Sequence, residues 1–431
     1  MIKIFEAFAG VGAQKMALRN IDIEHESVGI AEVNEPAILS YAAIHSDVES
    51  VETASIDEMQ EYMKRLNIPL NDKGGRVILR GKRLVNLYKA SVSSHNFGDI
   101  SNVSCENLPD MDLFTYSFPC QSVSFAGLGK GLAKDSGTRS SLLWECERVI
   151  DAKRPPYLLM ENVKALISKK HKPDFDKWCD LVEELGYNNY WAVLNAKDFG
   201  IPQNRERVFM VSIRKDIDQI FVFPEKIKLT KTVQDLLEFK VSEDMYFVKD
   251  KVDALVLSDK VLEERLRSRT LDRNLLPLIA ASRGRYVDNP KLRQVGLPTK
   301  QHLEINFKGL SNTLTSVQKD NYVVEHVDNY VGIDAHPFSK KMEYTSFKNR
   351  DVVSCLLASD YKSPKAVAFQ LSDQLRIRKL LPLECWRLMG FADEDFKKAE
   401  SVVSNTQLYK QAGNSIVVPV LEAIFGAMFV K

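Results

Sequence analysis

Short apolar runs alternate with helix-period stretches through the first half of the chain. Residues 2–7, 27–31, 113–118, 157–160, 189–194 and 208–213 are dense in aliphatic and aromatic side chains and read as buried strands. Between them the apolar spacing predicts helices over 12–20, 35–44, 139–152 and 174–185. Such alternation predicts an α/β fold with a doubly wound, mainly parallel sheet. Residues 46–96 break the pattern. Their centre, Lys73-Gly74-Gly75-Arg76 and Arg80-Gly81-Lys82-Arg83, is basic and glycine-containing, and reads as an insertion at the sheet's edge.

The alternation stops at about residue 214. Residues 216–371 are irregular, with scattered Pro and Gly and short strand-like pieces, and predict a smaller domain set into the first. Regularity resumes at Leu375, and residues 415–429 predict a helix that is apolar on nearly every side. A helix of that kind must be buried. The segment 372–431 is therefore expected to return to the domain formed by residues 1–215. A chain of 431 residues has room for two such cores.

Composition narrows the chemistry only a little. The 59 Lys and Arg nearly balance the 58 Asp and Glu, so a nucleic-acid surface would have to be local. Residues 261–320 carry such a bias, eleven Lys and Arg against six Asp and Glu, which a solvated face would also explain. None of the six cysteines forms a C-x-x-C pair, and no two histidines have zinc-ligand spacing, so neither a structural metal nor disulfides are expected. No long uncharged apolar run is present, and a strand begins at Ile2, which leaves no room for a signal peptide. These features predict a soluble protein of the cytoplasm.

Four places combine a strand end with chemically capable residues. Phe8-Ala9-Gly10-Val11-Gly12 joins the first strand to the first helix, where glycines let a ligand approach the backbone in front of a helix N-terminus. A nicotinamide fingerprint would place glycine three residues after Gly12, but Lys15 stands there, which favours a different adenosine-bearing ligand. Glu32 ends the second strand, where an acid can hold ribose hydroxyls. The run 113–118 leads into Pro119-Cys120-Gln121-Ser122, and the run 157–160 into Glu161-Asn162-Val163. Gln203-Asn204-Arg205-Glu206-Arg207 precedes the strand 208–213, and Gln411-Ala412-Gly413-Asn414-Ser415 lies near the end. Arg154-Pro155-Pro156-Tyr157 resembles the Pro-Pro-Tyr of enzymes that methylate exocyclic amines. It precedes its strand rather than following it, and reads as a helix-to-strand connection.

In this order the five segments resemble the cytosine-C5 DNA methyltransferase family, bacterial or phage type. The resemblance implies a Rossmann-like, S-adenosylmethionine-dependent catalytic domain with an inserted target-recognition domain at 216–371. It implies a methyl transfer to C5 of a flipped cytosine in double-stranded DNA through a covalent bond from Cys120 to C6. Glu161 would contact the Watson–Crick edge of the base, Arg207 would donate to its O2, and Arg205 would lie beside it. Cofactor contacts would come from Phe8, Ala9, Gly10, Gly12, Glu32, Val33, Asp99, Ile100, Pro119, Asn414 and Ser415. Gln121, Ser124 and Arg139, on or beside the glycine-rich segment 122–139, would face DNA. So would Thr313 and Leu314, which are similar to the family's Thr-Leu hallmark, together with Arg283 and Arg285. The other five cysteines read as small buried hydrophobes. Two alternatives stand beside this reading, a tRNA cytosine-C5 methyltransferase and a catalytically silent DNA-binding regulator. The long variable region argues against the first and the intact Cys120, Glu161 and Arg207 against the second. A monomer is expected, and a cognate restriction endonuclease encoded nearby is a possible companion.

Overall fold

The structure is a computed structural model that describes residues 1–68, 79–118, 142–238, 241–242, 244, 278–286, 299–306, 310–314, 321–326 and 375–430. The chain divides into two compact units. The first comprises Met1–Leu237, Leu310–Gln318 and Leu381–Lys431, the second Glu238–Gly309 and Lys319–Leu380. These divisions fall later in the chain than the breaks in the apolar pattern at 215 and 371.

The first unit is built on a six-stranded sheet of order β2-β1-β3-β4-β7-β5. Its strands are β1 (Ile2–Ala7), β2 (His25–Ala31), β3 (Leu113–Tyr116), β4 (Tyr157–Val163), β5 (Tyr187–Asn195) and β7 (Glu206–Arg214), with the two-residue β6 (Gln203–Asn204) ahead of β7. β1 pairs in parallel with β2 and β3, and β3 with β4. β7 instead runs antiparallel to both β4 and β5, which the alternating pattern did not anticipate. This pairing also lengthens β4. Glu161, Asn162 and Val163 lie opposite Phe209, Val208 and Arg207, so they belong to the strand rather than to a loop after it.

The sheet's central strands are mostly apolar because both faces are covered, with Glu6 of β1 and Thr115 of β3 among the buried polar exceptions. Phe5, Phe114, Tyr116, Leu158 and Met160 are fully or almost fully buried, and α5 (Leu143–Lys153) and α6 (Lys172–Glu184) add Cys146, Val149, Phe175 and Trp178 to the same core. After α7 (Pro382–Arg387), α8 (Asp393–Glu400) and α9 (Asn405–Asn414) comes the apolar helix α10 (Val418–Phe429), against which α1 (Ala13–Asn20) packs, so this last segment returns to the first strand–helix unit.

The segment 46–96 contains two packed helices. Ser55 and Glu58 form a reciprocal capping box that starts α3 (Ile56–Arg65). α4 (Gly81–Ser93) packs against α2 (Glu35–His45). Ile38, Ala42, Met59, Met63, Leu84 and Leu87 form a core of their own, and Asn96 then bridges in parallel to Ile30 at the edge of β2. The Met59–Met63 spacing signals this helix, while the glycine-rich centre at 69–78 that marked the segment as an excursion lies outside the described residues.

In the second unit β8 (Leu278–Tyr286), β9 (Thr299–Ile305), β11 (Asn321–His326) and β12 (Leu375–Lys379) form an antiparallel sheet of order β12-β11-β8-β9.

Candidate active site

The order of the sheet reverses at β1, with β2 on one side and β3 on the other, and a doubly wound sheet binds ligands outside the carboxyl ends of strands at that point. The loop after β1 takes left-handed backbone three times, at Phe8 (φ 57°), Gly10 (57°) and Gly12 (77°). The two glycines serve different purposes. No heavy atom lies within 4 Å of where a Cβ on Gly10 would stand, so its flank is open to a ligand. A Cβ on Gly12 would come within 2.5 Å of the His45 ring, so that glycine permits close packing against α2 rather than ligand approach.

Glu32 follows β2 directly. Its Oε2 accepts from the Gly10 backbone N–H at 2.9 Å, and its Oε1 from Val33 and Asn34 N–H groups at 2.9 and 2.8 Å. Burial raises its pKa, and the three backbone donors work against that rise. A carboxylate offers about four acceptor sites, so roughly one remains for a hydroxyl. Asn96 escaped the sequence reading. Its side-chain amide pairs with the Glu32 backbone in both directions, at 3.0 and 3.1 Å, and also accepts from Gly98 N–H at 3.0 Å. It thereby fixes the approach to Asp99, whose Oδ1 accepts from Ser101 N–H at 3.0 Å and whose Oδ2 accepts from Asn67 at 3.2 Å. Arg148 of α5 donates to the Ile100 carbonyl at 2.8 Å. An open glycine flank, an acid with acceptor capacity and a second acid 67 residues on fit an adenosine-bearing cofactor with sugar hydroxyls.

A second group of residues sits at the same edge of the sheet. Because β7 is antiparallel, its first residues lie where the parallel strands end, and Arg207 meets β4 there. Arg207 Nε is 3.2 Å from Glu161 Oε1. Burial raises the pKa of Glu161, against the opposing charges of Arg207 and then Arg205. The neighbouring Asn162 is buried and donates to the Phe118 carbonyl oxygen at 3.0 Å, linking the ends of β3 and β4. Pro119, Cys120, Gln121, Ser124 and Arg139 lie outside the described residues, as does Cys355. Burial pushes the thiols of Cys146 and Cys385 well up and that of Cys179 to about 12, so these sulfurs are held as thiols.

Arg205 sits apart from Arg207 in role. It is 3% exposed, and its guanidinium donates to the carbonyl oxygens of Leu314 at 3.1 Å, Gly413 at 3.0 Å and Ser415 at 2.7 Å. That network ties the β6–β7 corner to the segment 310–314 and to the turn after α9 (Asn405–Asn414). Gln203 completes it, accepting from Leu314 N–H at 3.2 Å and donating to the Leu388 carbonyl at 2.7 Å. Thr313 donates its hydroxyl to the Asn204 carbonyl at 2.7 Å, and β10 (Ser311–Asn312) pairs with β6. Leu314 is 2% exposed and is an anchor in this geometry; only Thr313 of the pair keeps a partly exposed side chain. Asn414 is exposed at the end of α9, with Ser415 following. Arg283 and Arg285 belong to β8, opposite His302 and Lys300.

A doubly wound sheet with a glycine turn at its switch point, and with a buried acid paired to a partly exposed arginine at the same edge, defines a cofactor-binding protein of the Rossmann-like kind. The chain belongs to the C-5 cytosine-specific DNA methylase family, whose model matches residues 62–430. It is 41% identical to the Type II methyltransferase M2.ScrFI of Lactococcus lactis subsp. cremoris, across 100% of this chain and 99% of that one. It is 40% identical to the orphan methyltransferase M.SssI of Spiroplasma monobiae, across 56% of this chain and 66% of that one. A Dnmt2 methyltransferase structure from S. pombe shares the fold, with a TM-score of 0.54 at 16% identity over 100% of this chain and 98% of that one. The enzyme transfers a methyl group from S-adenosylmethionine to C5 of cytosine in DNA, and the family's covalent cysteine intermediate applies to it. Among the described residues no single helix is long and apolar enough to cross a membrane.

Proposed function

We propose that this enzyme methylates a flipped cytosine within one specific double-stranded DNA sequence, with Cys120 as nucleophile. The supporting observation is the Glu161–Arg207 pair, joined through Asn162 to Phe118, two residues before Cys120 in the chain. In a duplex C5 and C6 lie inside the stack, so the base must leave it. The Cys120 thiolate adds to C6 and makes C5 nucleophilic. Glu161, kept protonated or sharing a proton with N3, withdraws electrons from the ring and eases that addition. Arg207 donates to O2, while Arg205 holds the corner that carries Arg207. S-adenosylmethionine, when bound by the 8–12 loop, Glu32, Asp99 and the Asn414 turn, supplies an electrophilic methyl on its sulfonium. Loss of the C5 hydrogen as a proton then expels the Cys120 sulfur and restores the aromatic ring.

The second compact unit is proposed to read the target sequence, with Arg283 and Arg285 at its DNA contacts, while Thr313 of the first unit and Gln121, Ser124 and Arg139 of the segment after Cys120 also face DNA. The two methyltransferases of similar sequence named above come from bacteria, and one is a Type II methyltransferase, which supports an enzyme working in the cytoplasm of a bacterial or phage-infected cell, with a cognate endonuclease encoded nearby; a monomer is proposed with it. Bisulfite sequencing of DNA from cells expressing the chain identifies the methylated sequence. A duplex of that sequence with fluorine at C5 has no hydrogen to lose, so the adduct persists. The wild-type protein should give a complex that survives denaturing electrophoresis, and Cys120→Ser should give none. Trapping retained by Cys120→Ser would remove Cys120 from the mechanism.

A further inference from the structure

A buried polar set lies against the 8–12 loop, and no step of the reaction uses it. Glu6 in β1 is fully buried. Its Oε2 accepts from the Tyr41 hydroxyl at 2.6 Å, and its Oε1 accepts from the Lys15 backbone N–H at 3.4 Å. The Tyr41 hydroxyl also lies 3.2 Å from Ser27 Oγ. His45 Nε2 stands 3.0 Å from the Val11 carbonyl oxygen, and the rings of His45 and Tyr41 pack with centroids 4.8 Å apart. Lys15 Nζ donates at 3.1 Å to the His45 carbonyl, at the C-terminal end of α2 where a cation is favoured.

Each of these contacts replaces something the loop lacks. Gly12 is the N-cap of α1 and has no side chain, so the first helical N–H groups have no local acceptor. Glu6 provides one for Lys15 from the neighbouring strand. Val11 precedes the helix, and its carbonyl finds its donor on His45. Burial holds the His45 ring neutral, with its pKa lowered to about 3, so the proton that bonds Val11 sits on Nε2. Gly12 has no space for a Cβ because these same rings occupy it.

We propose that Glu6, Tyr41 and His45 are positioning residues for S-adenosylmethionine: they fix residues 11–15, and through them the turn at Gly10 whose N–H is bonded to Glu32 and whose flank is open. This rests on the reading of the 8–12 loop and Glu32 as the cofactor pocket. The set touches the loop from behind through Val11, Gly12 and Lys15, so its effect should be on cofactor affinity and not on the methyl transfer itself.

The test uses the full chain and measures S-adenosylmethionine binding by calorimetry, together with steady-state kinetics. Tyr41→Phe keeps the ring and removes the donor to Glu6. His45→Phe keeps the ring packing and removes the donor to Val11. Each should weaken cofactor binding about five- to ten-fold, as expected for one lost hydrogen bond. KM for the cofactor should rise by the same factor, with kcat at saturating cofactor and DNA affinity within about two-fold of wild type. His45→Gln restores an N–H donor and should recover most of the affinity. Hydrogen exchange in the wild-type protein should show the Lys15 amide protected without cofactor, a measurement that needs no variant to fold. Unchanged affinity in both phenylalanine variants, or an unprotected Lys15 amide, would overturn the proposal. Glu32→Ala is the control for the pocket. If it too leaves affinity unchanged, the pocket reading fails; if it alone weakens binding, only the positioning role fails.

Discussion

Glu161 and Arg205 show how burial decides what a charged side chain does. Glu161 has one arginine nitrogen at 3.2 Å and a carboxyl group whose pKa burial has raised, which suits the proton exchange with the base proposed above. Glu161→Gln keeps the shape and loses that proton exchange. It should lower kcat by about 10²–10⁴, the usual contribution of a general acid or base, with cofactor affinity unchanged by calorimetry. A fall of less than two-fold would show that the carboxyl group does not act on the base. Arg205 is equally buried, but its guanidinium bonds three backbone carbonyls from two distant segments. Arg205→Ala leaves those acceptors without donors and should cost about 3 kcal/mol or more, read as a lower denaturant midpoint. Arg205→Lys should recover little, because one ammonium cannot reproduce the planar fork.

At the scale of elements, β1, α1 and α2 share two groups with opposite titrations. Burial raises Glu6 from 4.5 to about 7 and lowers His45 from 6.5 to about 3. The Glu6 contribution to stability is full below pH 4.5 and is lost as pH rises through 7. The His45 contribution is full above pH 6.5 and is lost as pH falls towards 3. Between 4.5 and 6.5 the unfolded chain carries the proton on His45 and the folded chain carries it on Glu6. Proton uptake is then equal, and the pair adds no slope. The cations facing these groups are Lys15 and Arg19 of α1 and Lys398 of α8 (Asp393–Glu400). Glu6→Gln should expose the His45 term, so that stability relative to wild type falls by up to about 3 kcal/mol from pH 6.5 to 4.5. His45→Phe should expose the reverse slope. Urea midpoints at the two pH values measure both, and parallel curves for wild type and Glu6→Gln would refute the coupling.

At the scale of the molecule, the division into compact units does not follow the chain in simple blocks. Leu310–Gln318 belongs to the first unit, although the segments on either side of it belong to the second. Gln203, Asn204 and Arg205 hold the described part of that segment. An exchange of target specificity should therefore move 238–309 and 319–380 and leave 310–318 in place. A chimera of that design with a related methyltransferase should stay active and take the donor's methylation site in bisulfite sequencing. An active chimera that keeps its original site would refute the recognition role of the second unit.

Much of this was open to reading in the chain. Continuous apolar runs show which strands are buried on both faces, because that burial depends on each strand's own side chains. The glycine turn after β1, Glu32 and the Glu161 and Arg207 segments were identifiable for a related reason, since each chemistry demands particular residue types at strand ends. Strand direction is different, because it depends on partners far away in sequence, and no local pattern distinguishes an antiparallel β7 from a parallel one. That direction brings Arg207 onto Glu161. The separate duties of Gly10 and Gly12 were likewise hidden, since only the packing of α2 puts His45 behind one of them and open space beside the other. Asn96 had no signal of its own, and Arg205 was read as lying beside the base rather than as a backbone anchor, because a polar side chain that bonds remote backbone groups looks the same in sequence as one that faces water or a ligand. The residues able to do the chemistry are written in the chain, and long-range packing decides which of them meet.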